Sequence, residues 1–258
     1  MLTIFERFRL FVIKPYIFNR FPEIVCGFST KIGLNRTAPY YFNLSLSVGD
    51  DERIVNENRE AFFNYFGLTS VQIAFQKQVH SDIITPVEKA GVCGESDAMI
   101  TDQINLGLVI SAADCTSVYI YDYKKKVIAA IHSGWRGTKE QIVLKTLHKL
   151  FSDYRCEPEN MFVYIGPSIS QANYEVGKEV AEQFDGKYLK LINNKFFLDV
   201  AGANYDMLIN NGVPKANIQK SILCTYEFGE LLHSYRRDGI KSGRSFGLIA
   251  LKDVKRNN

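Results

Sequence analysis

A mixed α/β sandwich is the fold predicted by this chain of 258 residues. Three observations carry that expectation. Strand-like apolar runs outnumber helical ones, two of them close as an antiparallel hairpin around the lysines at 124–126, and helices and strands do not alternate as a parallel βαβ winding requires. With no repeat, low-complexity tract or linker, the chain reads as one domain over residues 1–258.

Taken in order, Ile24–Ser29 is a short apolar strand, and residues 31–41, with Gly33, Asn35 and Pro39, form an irregular loop. The acids of Gly49-Asp-Asp-Glu52 suit the positive end of a helix in which Ile54, Val55, Asn58, Ala61, Phe62, Tyr65 and Phe66 recur at helical spacing, with Gly67 ending it. Residues 71–87 are a strand region carrying Gln76, Gln78 and His80. Glu95-Ser-Asp-Ala98 is a turn, residues 98–101 and 107–111 are short strands, and residues 117–122 and 127–132 form the hairpin.

The run 127–131 delivers His132 to a strand end, Gly134 and Gly137 frame Trp135 and Arg136, and Thr138 with Gln141 suggests a capping box. The helix that follows, 141–151, keeps Ile142, Val143, Thr146, Leu147, Leu150 and Phe151 on one face. Beyond it lie a strand at 162–166, a short helix at 180–184, a helix at 200–210, a strand at 218–224, a short helix at 228–235 and a last strand at 246–251. Residues 252–258 read as a solvated end.

Hydrophobic residues at 46% and charged residues at 23% are ordinary globular values, and a formal net charge of +3 argues against a dedicated nucleic-acid binder. Glu6, Arg7, Arg9 and Lys14 interrupt the apolar N-terminus, so no signal peptide is read, and no uncharged apolar run is long enough to span a membrane. Five widely spaced cysteines without a CxxC pair fit a reducing cytoplasm better than a disulfide framework.

Residues 130–138 concentrate an imidazole, an indole and a guanidinium at one strand-to-helix turn. In the antiparallel hairpin the pairing brings Cys115, just before the first strand, close to His132 at the end of the second. His80, in its own strand region, is the natural third donor. One thiolate and two imidazoles with a position left open make a catalytic zinc geometry, because the open site can hold a water made more acidic by the metal. The residues alone leave the plainer reading open: a buried cysteine is ordinarily a small hydrophobe, and a strand-end histidine a satisfied polar group. His148 and His233 read as solvated helix residues. Arg136, expected just before a helix N-terminus, is an anion candidate, with Arg59 and the cluster Arg236, Arg237 and Lys241 behind it.

With Gln78-Val-His-Ser81, Ala113-Asp-Cys115 and His132-Ser-Gly-Trp-Arg-Gly-Thr138 in hand, the chain resembles the laccase-domain, or polyphenol-oxidase-like, family of purine nucleoside phosphorylases, some members of which are called peptidoglycan editing factor. Phe28-Ser-Thr30, Asn43-Leu44, Gly49-Asp50, Asn58-Arg59, Asp97-Ala98, Ile165-Gly-Pro-Ser168, Tyr174-Glu-Val-Gly177, Cys224-Thr225 and Ser234-Tyr-Arg-Arg237 extend the resemblance over nearly the full length. It implies a single-domain α-β-β-α layered sandwich, zinc held by His80, Cys115 and His132, and a catalytic set of those three with Arg136. Asn43, Arg59, Gln78 and Glu175 are the implied substrate contacts. The implied activities are phosphorolysis of adenosine, inosine and methylthioadenosine, and deamination of adenosine, by a monomer or homodimer with purine nucleoside and phosphate as partners. Ser133 stands where alanine is common, a departure from which no consequence is expected.

Copper is the less favoured metal, since a multicopper oxidase needs many imidazoles and only His148 and His233 remain after the proposed ligands. Phenol oxidation therefore ranks below purine chemistry. Other readings are a metal-dependent amide hydrolase editing muramyl precursors of the cell wall, and a non-catalytic binding protein. The proton carrier is not evident: the zinc-deaminase His-x-Glu arrangement is absent, and Asp82, Asp114 and Glu175 are candidates.

Overall fold

A computed structural model describes residues 10–253. Glu6, Arg7 and Arg9, on which the signal-peptide reading leaned, and residues 254–258 of the expected solvated end lie outside those described. In chain order the elements are β1 (Val12–Ile13), β2 (Ile24–Ser29), α1 (Glu52–Tyr65), β3 (Ile73–Lys77), β4 (Ile84–Pro86), β5 (Gly91–Glu95), β6 (Ala98–Thr101) and β7 (Gly107–Ala112). The hairpin β8 (Thr116–Asp122) and β9 (Val127–Ser133) leads into α2 (Trp135–Lys139) and α3 (Ile142–Tyr154). Then come β10 (Met161–Ile165), β11 (Glu175–Val176), α4 (Lys178–Ala181), β12 (Leu189–Ile192), β13 (Lys195–Leu198), α5 (Val200–Asn210), β14 (Ile218–Lys220), α6 (Tyr235–Asp238) and β15 (Ser245–Leu251).

Two six-stranded mixed sheets form the middle layers, ordered β1-β2-β15-β7-β3-β5 and β14-β10-β8-β9-β6-β4. Residue alternation shows how they stack. In β8, Tyr119 and Tyr121 join Ile128 and Ala130 of β9 in the core that also takes Leu108, Ile110 and Ile249 of the other sheet. The alternate residues Val118, Ile120, Ala129 and Ile131 face outward, onto Val143, Leu147 and Leu150 of α3 and Leu208 of α5. Both faces are buried, so these strands read as continuous apolar runs. On the far side Phe62, Phe63 and Phe66 of α1 and its end cover Val109, Leu248 and Ala250. The layers are thus α-β-β-α.

Local chemistry sets the ends of α1. Asp51 caps it, accepting from the amides of Arg53 at 2.9 Å and Ile54 at 3.2 Å, and Gly67 at φ 65° turns the chain away.

Several expected elements differ. The strand region 71–87 divides into β3 and β4, because the chain between them is pinned to a carboxylate, described below. The expected strand 218–224 stops at Lys220, leaving Cys224 with a single bridge to Ser168. Residues 228–234 are turns and irregular chain, and the helix begins at Tyr235, capped by Ser234. The helix expected at 180–184 is α4, which starts two residues earlier and ends at Ala181. Thr138 is no cap: Gln141, at φ 60°, immediately precedes α3, and the Thr138 hydroxyl faces inward. A small antiparallel sheet, β11-β13-β12, has no counterpart in the sequence reading, its strands of two to four residues being too short for a period-two signal. All five cysteines are free thiols.

Candidate metal centre

Strand register collects the site. His132 pairs with Ser117 of β8 on one side. On the other, Ala98 of β6 pairs with Ile131, so Asp97 comes opposite His132, whose amide donates to the Asp97 carbonyl at 2.7 Å. Asp97, Cys115 and His132 share the alternation of Met99, Tyr119 and Ala130, the residues between the two sheets. Period-two geometry therefore aims all three side chains toward the same end of the inter-sheet space. Cys115 lies two residues beyond the partner of His132, a diagonal neighbour instead of a direct one.

His80 arrives from a loop, not from a strand as expected, with φ 60°. The Asp97 carboxylate holds that conformation. It accepts from the successive amides of Val79 (3.2 Å), His80 (3.1 Å) and Ser81 (2.6 Å) and from the Ser81 hydroxyl (2.7 Å), in effect an anion in a backbone nest. The same carboxylate receives Nδ1 of His132 at 2.8 Å, which leaves Nε2 of that ring for the cluster.

The donor atoms of His80, Cys115 and His132 all lie within 4.8 Å of one another, with Cys115 Sγ 3.9 Å from His80 Nε2. His80 is exposed, Cys115 half-buried and His132 buried, so the cluster is open on one side. Burial pushes the Cys115 thiol up, but the imidazoles of His132 and His80 outweigh it and bring it below the ordinary thiol range. Burial likewise disfavours charge on His132, and the Cys115 thiolate and Asp97 reverse that, raising it. A thiolate with two imidazoles and an open approach suits a tetrahedral, borderline-soft ion. Among the described residues, this is the one group of three or more His, Cys, Asp or Glu side chains so gathered.

Gly134 makes the approach possible. A Cβ there would stand 3.0 Å from Cys115 Sγ and 3.2 Å from His80 Cδ2. A pocket beside the cluster is lined by Asp114, Cys115, Gly134, Trp135, Ile169, Tyr174 and Val200. Ser133, behind the turn, closes a buried ring: its hydroxyl donates to Asn204 Oδ1 (2.9 Å), Asn204 Nδ2 donates to Thr138 Oγ1 (3.0 Å), and Thr138 returns the bond to Ser133 (2.8 Å). The serine thus has a consequence: it ties β9 to α2 and α5.

The other expected residues sit as follows. Arg136 is not ahead of a helix but within α2, with its guanidinium 4.4 Å from the Trp135 ring centroid. Arg59 lies between the rings of Phe75 and Phe246 and donates to the Leu44 carbonyl at 2.7 Å. Asn43 is fully buried; its amide bonds the Ser45 carbonyl and Asp50, and its oxygen takes the amides of Ser45 and Arg244. Gln78 pairs both ends of its amide with the backbone of Ser111. Glu175 is bound by Lys195 at 2.9 Å. Of the proton-carrier candidates, Asp82 pairs with Lys145, and Asp114 accepts from Thr225 and the Arg236 amide. Arg237 is tied to Asp238 and three carbonyls. His148 is exposed as expected; His233 is not, being 2% exposed. Asp97 and Asp114 were missed as organising residues. The available signal was a lone acid against an apolar strand start, which marks a carboxylate with buried work.

No helix among the described residues is long and apolar enough to cross a membrane. Residues 25–252 match the family described as multi-copper polyphenol oxidoreductase laccase. A purine nucleoside phosphorylase of Corynebacterium glutamicum is 32% identical over 233 residues, 87% of this chain and 93% of that protein. One from Clostridium acetobutylicum is 34% identical over 215 residues, 82% of this chain and 87% of that protein. The crystal structure of the Bacillus licheniformis hypothetical protein YfiH superposes with a TM-score of 0.88 at 28% identity, covering 96% of this chain and all of that one.

Proposed function

The chain belongs to the multi-copper polyphenol oxidoreductase laccase family, and from that membership we propose that it is a zinc-dependent purine nucleoside phosphorylase that also deaminates adenosine. The observation that carries the reading is the convergence of His80, Cys115 and His132 on one open vertex beside a pocket walled by Trp135, Ile169 and Tyr174. His80, Cys115 and His132 would hold the zinc, which would supply Lewis acidity there. Copper chemistry on several centres fits less well. Beyond the cluster the chain has two imidazoles, His148 on the exposed face of α3 and the buried His233, and neither joins it.

In phosphorolysis a phosphate oxygen forms a bond to ribose C1′ as the C1′–N bond breaks; the purine leaves with that electron pair and takes a proton. The residues at hand serve this by orientation. Trp135 and Tyr174 line the pocket beside the cluster, and Arg136 offers a cation for the phosphate. Adenosine, inosine and methylthioadenosine are the proposed nucleosides.

The test pairs metal analysis with products. The purified chain is incubated with each nucleoside with and without phosphate, and separately with a nucleotide-linked muramyl amino acid. The reading expects about one zinc per chain, as a three-ligand catalytic site holds. It also expects ribose 1-phosphate only when phosphate is present, and loss of both zinc and turnover in Cys115→Ala. Release of the amino acid from the muramyl compound with no nucleoside turnover overturns it in favour of an amide hydrolase.

A further inference from the structure

Three arginines surround the turn that carries Cys115, and each lays its guanidinium on an aromatic ring. Cζ of Arg136 is 4.4 Å from the Trp135 centroid, that of Arg236 is 5.1 Å from Tyr174, and that of Arg244 is 5.3 Å from Tyr235. The turn itself links them. Asp114, buried and at φ 93°, accepts the Arg236 amide at 2.6 Å and the Thr225 hydroxyl at 2.6 Å, while Tyr174 lines the same pocket as Asp114 and Cys115. Arg244 comes in from the other sheet: Ser245 of β15 pairs with Ala112 of β7, so Arg244 stands where the chain leaves β7 for Cys115.

None of the three forms a direct ion pair among the described residues, although the Asp114 carboxylate lies near enough to favour the charge of Arg244. Arg236 uses Nη1 on the Glu175 carbonyl at 2.8 Å, and Arg244 uses Nη1 on the carbonyls of Ser242 (2.7 Å) and Gly243 (3.1 Å). Their other guanidinium nitrogens, and all of those of Arg136, find no acceptor among the described residues. Both nearby acids are engaged, Asp114 as above and Glu175 by Lys195. Arg244 is half-buried, and burial disfavours its charge. Stacking on rings fixes each guanidinium plane and leaves its N–H edge to point at a ligand, the geometry suited to planar forks meeting a tetrahedral oxyanion. Like charges gathered around one turn favour an anion between them.

We propose that Arg136, Arg236 and Arg244 form an oxyanion subsite on the Tyr174 side of the Cys115 turn. This rests on the phosphorylase reading for its physiological ligand, the phosphate that attacks the ribose. The same chemistry would serve the phosphate ester of a nucleotide, so the experiment carries both.

Inorganic phosphate, and separately adenosine 5′-monophosphate, are titrated calorimetrically into the full chain carrying its metal. Wild type is compared with Arg236→Gln/Arg244→Gln and with Lys215→Gln, an exposed cation in the segment before β14. Loss of two charge-assisted contacts should weaken phosphate binding by at least about 10-fold in the double variant, with the Lys215 control within about 2-fold of wild type. Arg236→Lys and Arg244→Lys, which keep charge but lose the fork, carry the same comparison should the double variant not fold, each with an expected loss of about 3-fold. Binding of the monophosphate but not of free phosphate, abolished by the same changes, assigns the subsite to an ester. Equal affinity in a folded double variant, or no binding of either ligand by wild type at millimolar concentration, overturns the proposal. Phosphate bound in an arginine-dependent way by a chain that turns over no nucleoside leaves the subsite standing and removes the phosphorylase reading alone.

Discussion

Asp97 accepts from His132 Nδ1 at 2.8 Å while the same carboxylate holds the amides of Val79, His80 and Ser81. A carboxylate can only accept, so the ring must carry its proton on Nδ1 and present Nε2 to the cluster. One side chain thus sets the tautomer of one donor and the loop of another. Asp97→Ala should lower metal affinity by about 10–100-fold, the range seen when an outer partner of a ligating histidine is removed. Asp97→Asn, which keeps an acceptor oxygen, should lose less. Competition against a chromophoric chelator reads this directly; unchanged affinity in a folded Asp97→Ala chain would show that His132 and His80 hold their places unaided.

Gly134 is required for space, since its φ of −72° suits any residue. In Gly134→Ala the new methyl meets Cys115 Sγ and His80 Cδ2 at 3.0 and 3.2 Å, so one of the two donors must retreat. The expected outcome is a fold of near wild-type thermal stability with metal affinity reduced by about 10-fold, equivalent to about 1.4 kcal/mol. A large fall in Tm with the affinity intact would place the cost in the backbone and not in the donor set.

The ring of Ser133, Asn204 and Thr138 is buried and every proton in it has a destination, the second Asn204 N–H going to the Val200 carbonyl at 2.9 Å. Asn204→Leu leaves Ser133 and Thr138 bonded only to each other, with one buried hydroxyl proton lacking an acceptor, which should destabilise the chain by about 1–3 kcal/mol. Ser133→Ala opens the ring at one point and should cost about 1 kcal/mol. Denaturant unfolding checks both. Equal stability of Ser133→Ala and wild type would restore the view that alanine and serine are interchangeable here.

What could be read from the sequence was whatever repeats at short range. Apolar alternation marked β8 and β9, the lysines at 124–126 fixed their turn, and that register brought Cys115 near His132. The helical spacing of Val55, Asn58 and Phe62 likewise located the buried face of α1. His80 could be named as a third donor but not placed, because its position depends on a loop folded over a carboxylate from another strand. Asp97 and Arg244 were illegible for a related reason. Their roles follow from the pairing of β6 with β9 and of β15 with β7, long-range contacts that no local pattern encodes. His233 was misread because basic neighbours suggest solvent, while its ring packs against Gly243, where even a Cβ would intrude.

That burial gives His233 a pH signature. Desolvation lowers it to about 3, Lys31 and Arg244 adding to the fall while a hydrogen bond to the Phe42 backbone opposes it, and Nε2 has no partner. The ring is therefore neutral in the folded chain throughout the mildly acidic range. An unfolded chain, with an ordinary value near 6.5, takes up the proton that the folded one refuses. Unfolding then binds protons, so this contribution is complete above about pH 6.5 and is lost as pH falls toward 3, by up to about 1.4 kcal/mol per unit. His233→Gln removes the titration, and the difference between the two chains cancels the carboxylates that both share. Urea unfolding at pH 7 and pH 5 should show wild type losing stability more steeply than the variant, by about 1–2 kcal/mol over that interval. Parallel losses would mean that His233 takes up its proton in the folded chain, which its enclosure by Phe42 and Gly243 argues against.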